Sequence, residues 1–193
     1  MEEYLKLFVA SAITNNFVLT QFLGLCIFFG VSKNLNASVG MGMAVTSVMT
    51  LSTLLAWAVY NYILIPLGLQ SLMLISFVLL IASFVQLLEM IIKKHAPALY
   101  NMWGIYLVLI ATNCIVLAVP VTNSELHSDF ITSLIRALGS GVGFALAIIL
   151  MASLREKLQY ADVPKCLHGL GISFILAGML ALSFFGFSGM ITL

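Results

Sequence analysis

Charge is what this sequence lacks most. Its 193 residues include only eight Lys or Arg and seven Asp or Glu, and between Lys6 and Glu89 the one charged side chain is Lys33. A net charge of +1 offers no basic face to neutralise phosphates, which excludes a nucleic-acid partner. Cysteine is scarce as well. Three cysteines, odd in number and widely spaced, make neither a disulfide framework nor a zinc-finger pattern. The start, Met1-Glu2-Glu3-Tyr4, has neither the basic stretch nor the small-residue cleavage site of a signal peptide, so the first apolar segment is expected to stay in the mature protein.

What fills the chain instead is apolar: 62% of its residues are hydrophobic and the mean hydropathy is +1.16, well outside the range of soluble domains. Uninterrupted runs of about 20 residues are each long enough to cross a ~30 Å hydrocarbon core as a helix. Alternating ten-residue strands, the mark of a membrane barrel, are missing. The pattern predicts an all-α membrane protein, one integral domain over 1–193, with six transmembrane helices at about 4–30, 38–62, 70–92, 99–119, 130–154 and 167–191. Pro66, Pro97, Pro120 and Pro164 all fall between these spans, where a missing N–H does no harm.

Basic residues orient the spans. Lys33, Lys93, Lys94, Arg155, Lys157 and Lys165 lie in the odd-numbered loops, against Lys6 and Arg136 on the other side, which puts those loops in the cytoplasm and both termini outside. Trp57, Tyr60 and Tyr62 then fall at the outer end of helix 2, either as an interfacial anchor or as lipid-facing bulk.

Two polar insertions interrupt the apolar runs. Thr14-Asn15-Asn16-Phe17-Val18-Leu19 in helix 1 is echoed by Thr112-Asn113-Cys114-Ile115-Val116-Leu117 in helix 4. Gly40-Met41-Gly42-Met43-Ala44-Val45 in helix 2 is echoed by Gly141-Val142-Gly143-Phe144-Ala145-Leu146 in helix 5, and Ile75-Ser76-Phe77-Val78-Leu79 by Ile172-Ser173-Phe174-Ile175-Leu176. Three matches in the same order predict a three-helix duplication, with repeat 1 at about 1–95 and repeat 2 at about 98–193. An odd number of spans per unit makes the repeats inverted.

Unpaired backbone facing lipid costs several kcal/mol per group, so an interrupted helix must be buried in protein or line a cavity. Asn15, Asn16, Thr112 and Asn113 can supply the substitute donors and acceptors for breaks in helices 1 and 4. The alternative is continuous helices whose amides hydrogen-bond across to neighbours. Each half also carries a cysteine beside its interruption, Cys26 and Cys114. Singly, either would be a small apolar filler. Together, with two thiolates from a similar neighbouring chain, they would complete an iron–sulfur cluster; four thiolates would also suit zinc, but nothing here calls for a redox-inert ion. Residue counting along a straight helix 1 puts Cys26 and Cys114 at different depths, so a shared centre requires helix 1 to break near Asn15-Asn16.

At these residues the chain resembles a known family, the paired membrane subunits of Rnf complexes (ferredoxin:NAD oxidoreductases) and of the related sodium-pumping NADH:quinone oxidoreductase. The resemblance spans the chain through N-N-F-V-L at 15–19, F-L-G-L-C at 22–26, G-V-S-K at 30–33, T-N-C at 112–114, R-E-K-L at 155–158, A-D-V-P at 161–164 and G-F-S-G at 186–189, and N-N-F-V-L favours the Rnf branch. It implies six helices in inverted repeats with half-helices in spans 1 and 4. It also implies a [2Fe-2S] cluster shared with a homologous, RnfE-like subunit, for which Cys26 and Cys114 are this chain's ligands. The cluster would relay electrons across the bacterial inner membrane between flavin-bearing and iron–sulfur subunits, coupled to Na⁺ or H⁺ movement; the chain would not be catalytic alone. Ile27, Ile115 and Ala118 depart from the family's usual proline, alanine and glycine. The alternatives are the quinone-reductase counterpart, of NqrE type, and a secondary transporter, since inverted repeats with broken helices also describe carriers.

Of the remaining polar residues, Cys166 reads as a free thiol, and His95, His127 and His168 fall in loops without metal-binding spacing. Gln21 and Gln86 read as packing residues, and G-S-G-V-G at 139–143 as a site of close helix approach rather than a nucleotide loop.

Overall fold

The computed structural model describes residues 2–32, 34–95, 109–110, 112–158, 160 and 169–187. Lys33, Pro97, Pro164, Lys165, Cys166, His168 and most of the fourth predicted span up to residue 108 lie outside the described residues. Every element among the described residues is helical. The first predicted span is three short pieces: α1 (Glu2–Val9), running on through a π turn at Ala10–Thr14, then α2 (Phe17–Gln21) and α3 (Leu25–Val31). They are followed by α4 (Leu35–Val59), α5 (Met73–His95), α6 (Cys114–Glu125), α7 (Phe130–Leu158) and α8 (Leu170–Phe185). Three stretches are apolar and long enough to cross a membrane: 33 residues from Leu35 to Leu67, 22 from Gln70 to Ile91 and 29 from Phe130 to Leu158. α6 and α8 are shorter apolar helices.

α4 and α7 form the central pair. They run antiparallel and close. A Cβ on Gly42 would stand 2.8 Å from Ala145 Cβ, and one on Gly141 would stand 2.6 Å from Thr46 Cγ2. Gly139 and Gly143, one turn apart on α7, instead receive the π turn of the first span through Ser11 and Ala12. The G-S-G-V-G run is thus the seat of two helix approaches, as expected from small residues in membrane helices. Around this pair, Ile27, Phe28, Val45, Met49, Ile115, Val116, Phe144, Ile148 and Met151 form the main core.

α5 and α8 flank it and bury one narrow stripe each, Phe77, Ile81 and Val85 on α5 and Ser173, Ala177 and Ala181 on α8. Both stripes have the same four-residue step, offset by 96 positions rather than the 97 that pairs Ser76 with Ser173 in sequence. The remaining faces are apolar and exposed, with Leu79, Met90, Met179 and Leu182 all more than 60% accessible, as a lipid-facing surface would be.

Several sequence expectations need correction. Pro66 is not in a loop but in the first turn of Ile65–Leu67, which continues α4 through a π turn at Tyr60–Leu64. Pro120 lies inside α6, which runs to Glu125 rather than stopping at 119; its missing N–H removes one bond, leaving the helix intact. His95 ends α5 rather than sitting in a loop. Tyr60 is neither an interfacial anchor nor lipid-facing: it is 6% exposed and packs edge-on to Phe77, because it follows one turn after Ala56 on the buried stripe of α4. Trp57 donates from Nε1 to Ser128 O at 3.1 Å, and Tyr62 alone of the three is widely exposed. Gln21 and Gln86 are exposed rather than packed.

Candidate functional site

The first break is built by two asparagines. The π turn ends with Asn15 N–H on Ala10 O at 2.7 Å, after which Asn15 (φ −107°, ψ 46°) leaves the helix. Asn16 (φ −70°, ψ 109°) then starts α2, its Oδ1 accepting Val18 N–H at 3.1 Å. Its Nδ2 donates to Ala12 O at 3.2 Å and to Gly143 O on α7 at 2.8 Å. Only glycine fits opposite. A Cβ at position 143 would lie 2.5 Å from Ala12 O and 3.1 Å from that Nδ2. Asn16 is 2% exposed with both ends of its carboxamide bonded, which is how a buried amide is tolerated. Asn15 points elsewhere: it is exposed and lines a cavity of ≈ 290 Å³ with Ser11, Gln21, Thr122 and Arg136.

A second break in the same span was not apparent from the sequence. α2 ends at Phe22, held left-handed at φ 55°, with Leu23 N–H bonded back to Phe17 O at 3.1 Å. Gly24, also left-handed at φ 76°, starts α3. Cys26 is in the first turn of that helix. At its far end Arg155 of α7 donates from Nη1 to Phe29 O at 2.9 Å and to Ser32 Oγ at 2.7 Å, so α3 is tied to the central pair.

The third break, at Thr112-Asn113, repeats the geometry of the first. Asn113 (φ −74°, ψ 116°) accepts Ile115 N–H on Oδ1 at 3.2 Å and opens α6, whose first residue is Cys114. Thr112 is exposed and Asn113 2% exposed. The structural partner of Asn113 is therefore Asn16, one residue later than the sequence match implies. The counterpart of Cys114 is Phe17, and Cys26 belongs to the second break.

These second and third breaks pack against each other. A Cβ on Gly24 would meet Asn113 Oδ1 at 2.7 Å and Ile115 Cδ1 at 3.0 Å. Cys114 lies between the two residues that Gly24 touches, and Cys26 follows two residues after the glycine. Both cysteines are free and exposed on the surface of this chain. No group of three or more His, Cys, Asp or Glu capable of holding a metal exists among the described residues. The donor set is thus two soft sulfurs, Cys26 in the first turn of α3 and Cys114 at the first residue of α6. It fits half of a thiolate-bound metal group, and an unpartnered buried donor, Asn113 Nδ2, sits in the same cradle. From Leu25 and Cys26 a cavity of ≈ 690 Å³ extends along Phe29, Gly30 and Phe174 to Arg155.

Residues 4–191 match the family described as "Rnf-Nqr subunit, membrane protein". The chain belongs to the Rnf-Nqr family. Relatives of full length cover it from end to end. It is 71% identical over 193 residues to the A-type subunit of the proton-translocating ferredoxin:NAD(+) oxidoreductase complex of Clostridium ljungdahlii, covering all of both chains. It is 49% identical over 193 residues to the A-type subunit of the ion-translocating oxidoreductase complex of Tolumonas auensis, and 48% over 193 residues to that of Vibrio cholerae, again covering both chains completely. In this Rnf-Nqr chain, Asn16 and Asn113 form the caps while Asn15 and Thr112 stay at the surface. Gly24, Gly143, Phe22 and Arg155 complete the framework. Gly24 was legible in F-L-G-L-C as a glycine two residues before a cysteine; nothing in the sequence marks Phe22 as left-handed.

Proposed function

We propose that this chain is a membrane component of an ion-translocating ferredoxin:NAD oxidoreductase complex, with six spans in two inverted three-helix repeats and both termini on the outer face of the bacterial inner membrane. In this reading Cys26 and Cys114 are its two ligands to a [2Fe-2S] cluster completed by a homologous chain, with flavin-bearing and iron–sulfur subunits on either side of the relay. The observation that carries it is the packing of Gly24 on Asn113 and Ile115, which gathers two cysteine-bearing turns from opposite halves of the chain while leaving both thiols uncovered by their own chain. The name of the relative at 71% identity supports ferredoxin:NAD chemistry over the quinone-reductase alternative.

When bound, the cluster would supply a one-electron carrier inside the apolar layer. The work of this chain is to hold it. Asn113 Oδ1 fixes the start of α6 and with it Cys114; Gly24 and Arg155 fix the two ends of α3 and with them Cys26. Ile27, Phe28, Ile115 and Val116, none more than 1% exposed, exclude water behind the thiols. The carrier alternative is weaker. Among the described carboxylates Glu2, Glu3, Glu125, Asp129 and Glu156 are exposed and Glu89 is half-buried, so none is the fully buried carboxylate of an ion-coupled site.

The test is iron content and the optical and paramagnetic spectra of the purified complex. Cys26→Ser and Cys114→Ser should each abolish a signal that the unaltered complex shows, with assembly of the complex retained. Iron and spectra unchanged in both variants would rule the ligand assignment out.

A further inference from the structure

Arg136 places a charge inside a span that has almost none. It lies in the second turn of α7, a 29-residue apolar helix. At 1.5 Å per residue that helix is ~43 Å long, enough for a bilayer with its headgroup layers at ~40–45 Å. The Arg136 backbone then sits ~9 Å below the helix end, near the boundary between headgroups and hydrocarbon. Its Nη1 reaches back toward that end, donating to Asn123 Oδ1 at 2.9 Å and to Ser128 Oγ at 3.2 Å, as a snorkelling arginine does.

Both partners are neutral. No carboxylate pairs with Arg136 among the described residues, and Glu125 and Asp129, the nearest in sequence, are exposed. An ionised side chain at such a depth ordinarily meets a counter-charge or faces a polar cavity. The three N–H groups on Nε and Nη2 carry no bond among the described residues, and neither nitrogen is a buried orphan, so both remain accessible.

The space beside the guanidinium has matching chemistry. Arg136 lines the ≈ 290 Å³ cavity with Ser11, Asn15, Gln21 and Thr122. Ser11 and Thr122 spend their protons on Leu7 O and Ala118 O. Asn15 and Gln21 stand on either side of α2, are exposed, and have carboxamides that bond nothing among the described residues. The cavity thus offers one positive charge, free N–H donors from two neutral amides, and no negative charge. Such a set recognises an anion. Depth selects which: at the headgroup boundary the abundant anion is a phosphodiester, and Leu7, Phe17 and Leu126 give the same cavity apolar walls for the glycerol and first chain carbons.

We propose that this cavity seats the phosphate of a membrane phospholipid on Arg136, Asn15 and Gln21. The bound phosphate joins α7 to both ends of α2, a helix of five residues that is too short to persist by itself. The lipid is a brace for the interrupted first span. This site is separate from the cysteines and does not depend on what they hold.

The experiment is thermal unfolding of the purified, delipidated complex titrated with a short-chain phosphatidylglycerol, with diacylglycerol of the same chains, or with inorganic phosphate. The expected result is a saturable rise in melting temperature with phosphatidylglycerol alone. Asn15→Leu and Gln21→Leu break no side-chain bond within the described chain. Each should raise the lipid concentration for half of that rise about tenfold, as loss of a hydrogen bond to a charged group does. Arg136→Gln should abolish the rise; because it also releases Asn123 and Ser128, the two amide variants decide the matter if it fails to assemble. An equal rise with inorganic phosphate assigns the cavity to a soluble anion and overturns the lipid proposal, and an equal rise with diacylglycerol overturns it too. So does an unaltered complex that shows no rise, the result expected if an acidic side chain of a neighbouring subunit fills the cavity, or an unchanged titration in both amide variants. Iron content measured alongside should be the same in the amide variants as in the unaltered complex, which keeps this test apart from that of the cysteines.

Discussion

Gly24 and Asn113 are so close that one methyl group cannot stand between them: a Cβ on the glycine would lie 2.7 Å from the Asn113 oxygen that caps α6. The oxygen cannot retreat without releasing Ile115 N–H. Gly24→Ala would also force a side chain onto a backbone at φ 76°. The left-handed conformation costs about 1–2 kcal/mol and overpacking about 1–3 kcal/mol more. The solubilised complex should melt measurably earlier, and an unchanged melting temperature would contradict this packing.

At Asn16 the cap and the inter-helix bond can be separated. Asn16→Ala removes both, Gly143 O keeping only its bond within α7, with an expected loss of about 1–3 kcal/mol from the two effects combined. Asn16→Ser should recover about 1 kcal/mol of it, the share due to the cap. Comparing the two variants by chemical denaturation in detergent checks this, and equal stabilities would mean that Val18 N–H does not depend on the side chain.

Two glycines should respond in opposite ways to the same change. Gly143→Ala would press a Cβ against the backbone carbonyl of Ala12, which cannot swing aside as a side-chain tip would, so assembly should suffer. At Gly178, within α8, a Cβ would meet nothing within 4 Å. Alanine there should be neutral or stabilising by about 0.5–1 kcal/mol, since glycine is the poorer helix former. Membrane levels and thermal stability of the two variants provide the comparison.

Arg155 should be hard to replace even by lysine. One guanidinium nitrogen serves both Phe29 O and Ser32 Oγ, and a lysine ammonium on a different stem does not reproduce that reach. The expected order of damage is Arg155→Ala, then Arg155→Lys, then Ser32→Ala, which loses a single partner. Protease sensitivity of the segment around α3 should rank the three, and an effect of Ser32→Ala equal to that of Arg155→Ala would refute the shared anchor.

The parts of the molecule legible in its sequence are those where polarity or size is forced by lipid. Amides in an apolar run marked the breaks at Asn16 and Asn113, because a buried carboxamide is too costly there without a job. Closely spaced glycines at 139–143 marked the α7 approaches because nothing larger fits. Register was less readable: the sequence aligns Asn15 with Asn113, whereas capping depends on backbone angles and selects Asn16. The interruption at Phe22 was invisible, since phenylalanine has no preference for the left-handed backbone it adopts there. Pro66 and Pro120 misled for a related reason. Proline breaks a helix only where its missing bond and ring cannot be accommodated, and here both are accommodated within helical segments.

α3 spans only seven residues, about half of what a helix needs to persist by itself. The location of Cys26 is therefore not a local property of its segment. It is inherited from a notch at one end and a guanidinium clasp at the other, contributed by stretches of chain nearly a hundred residues or more away. Mutations that never touch sulfur, at 24, 113 or 155, can consequently move the thiol as effectively as changes beside it.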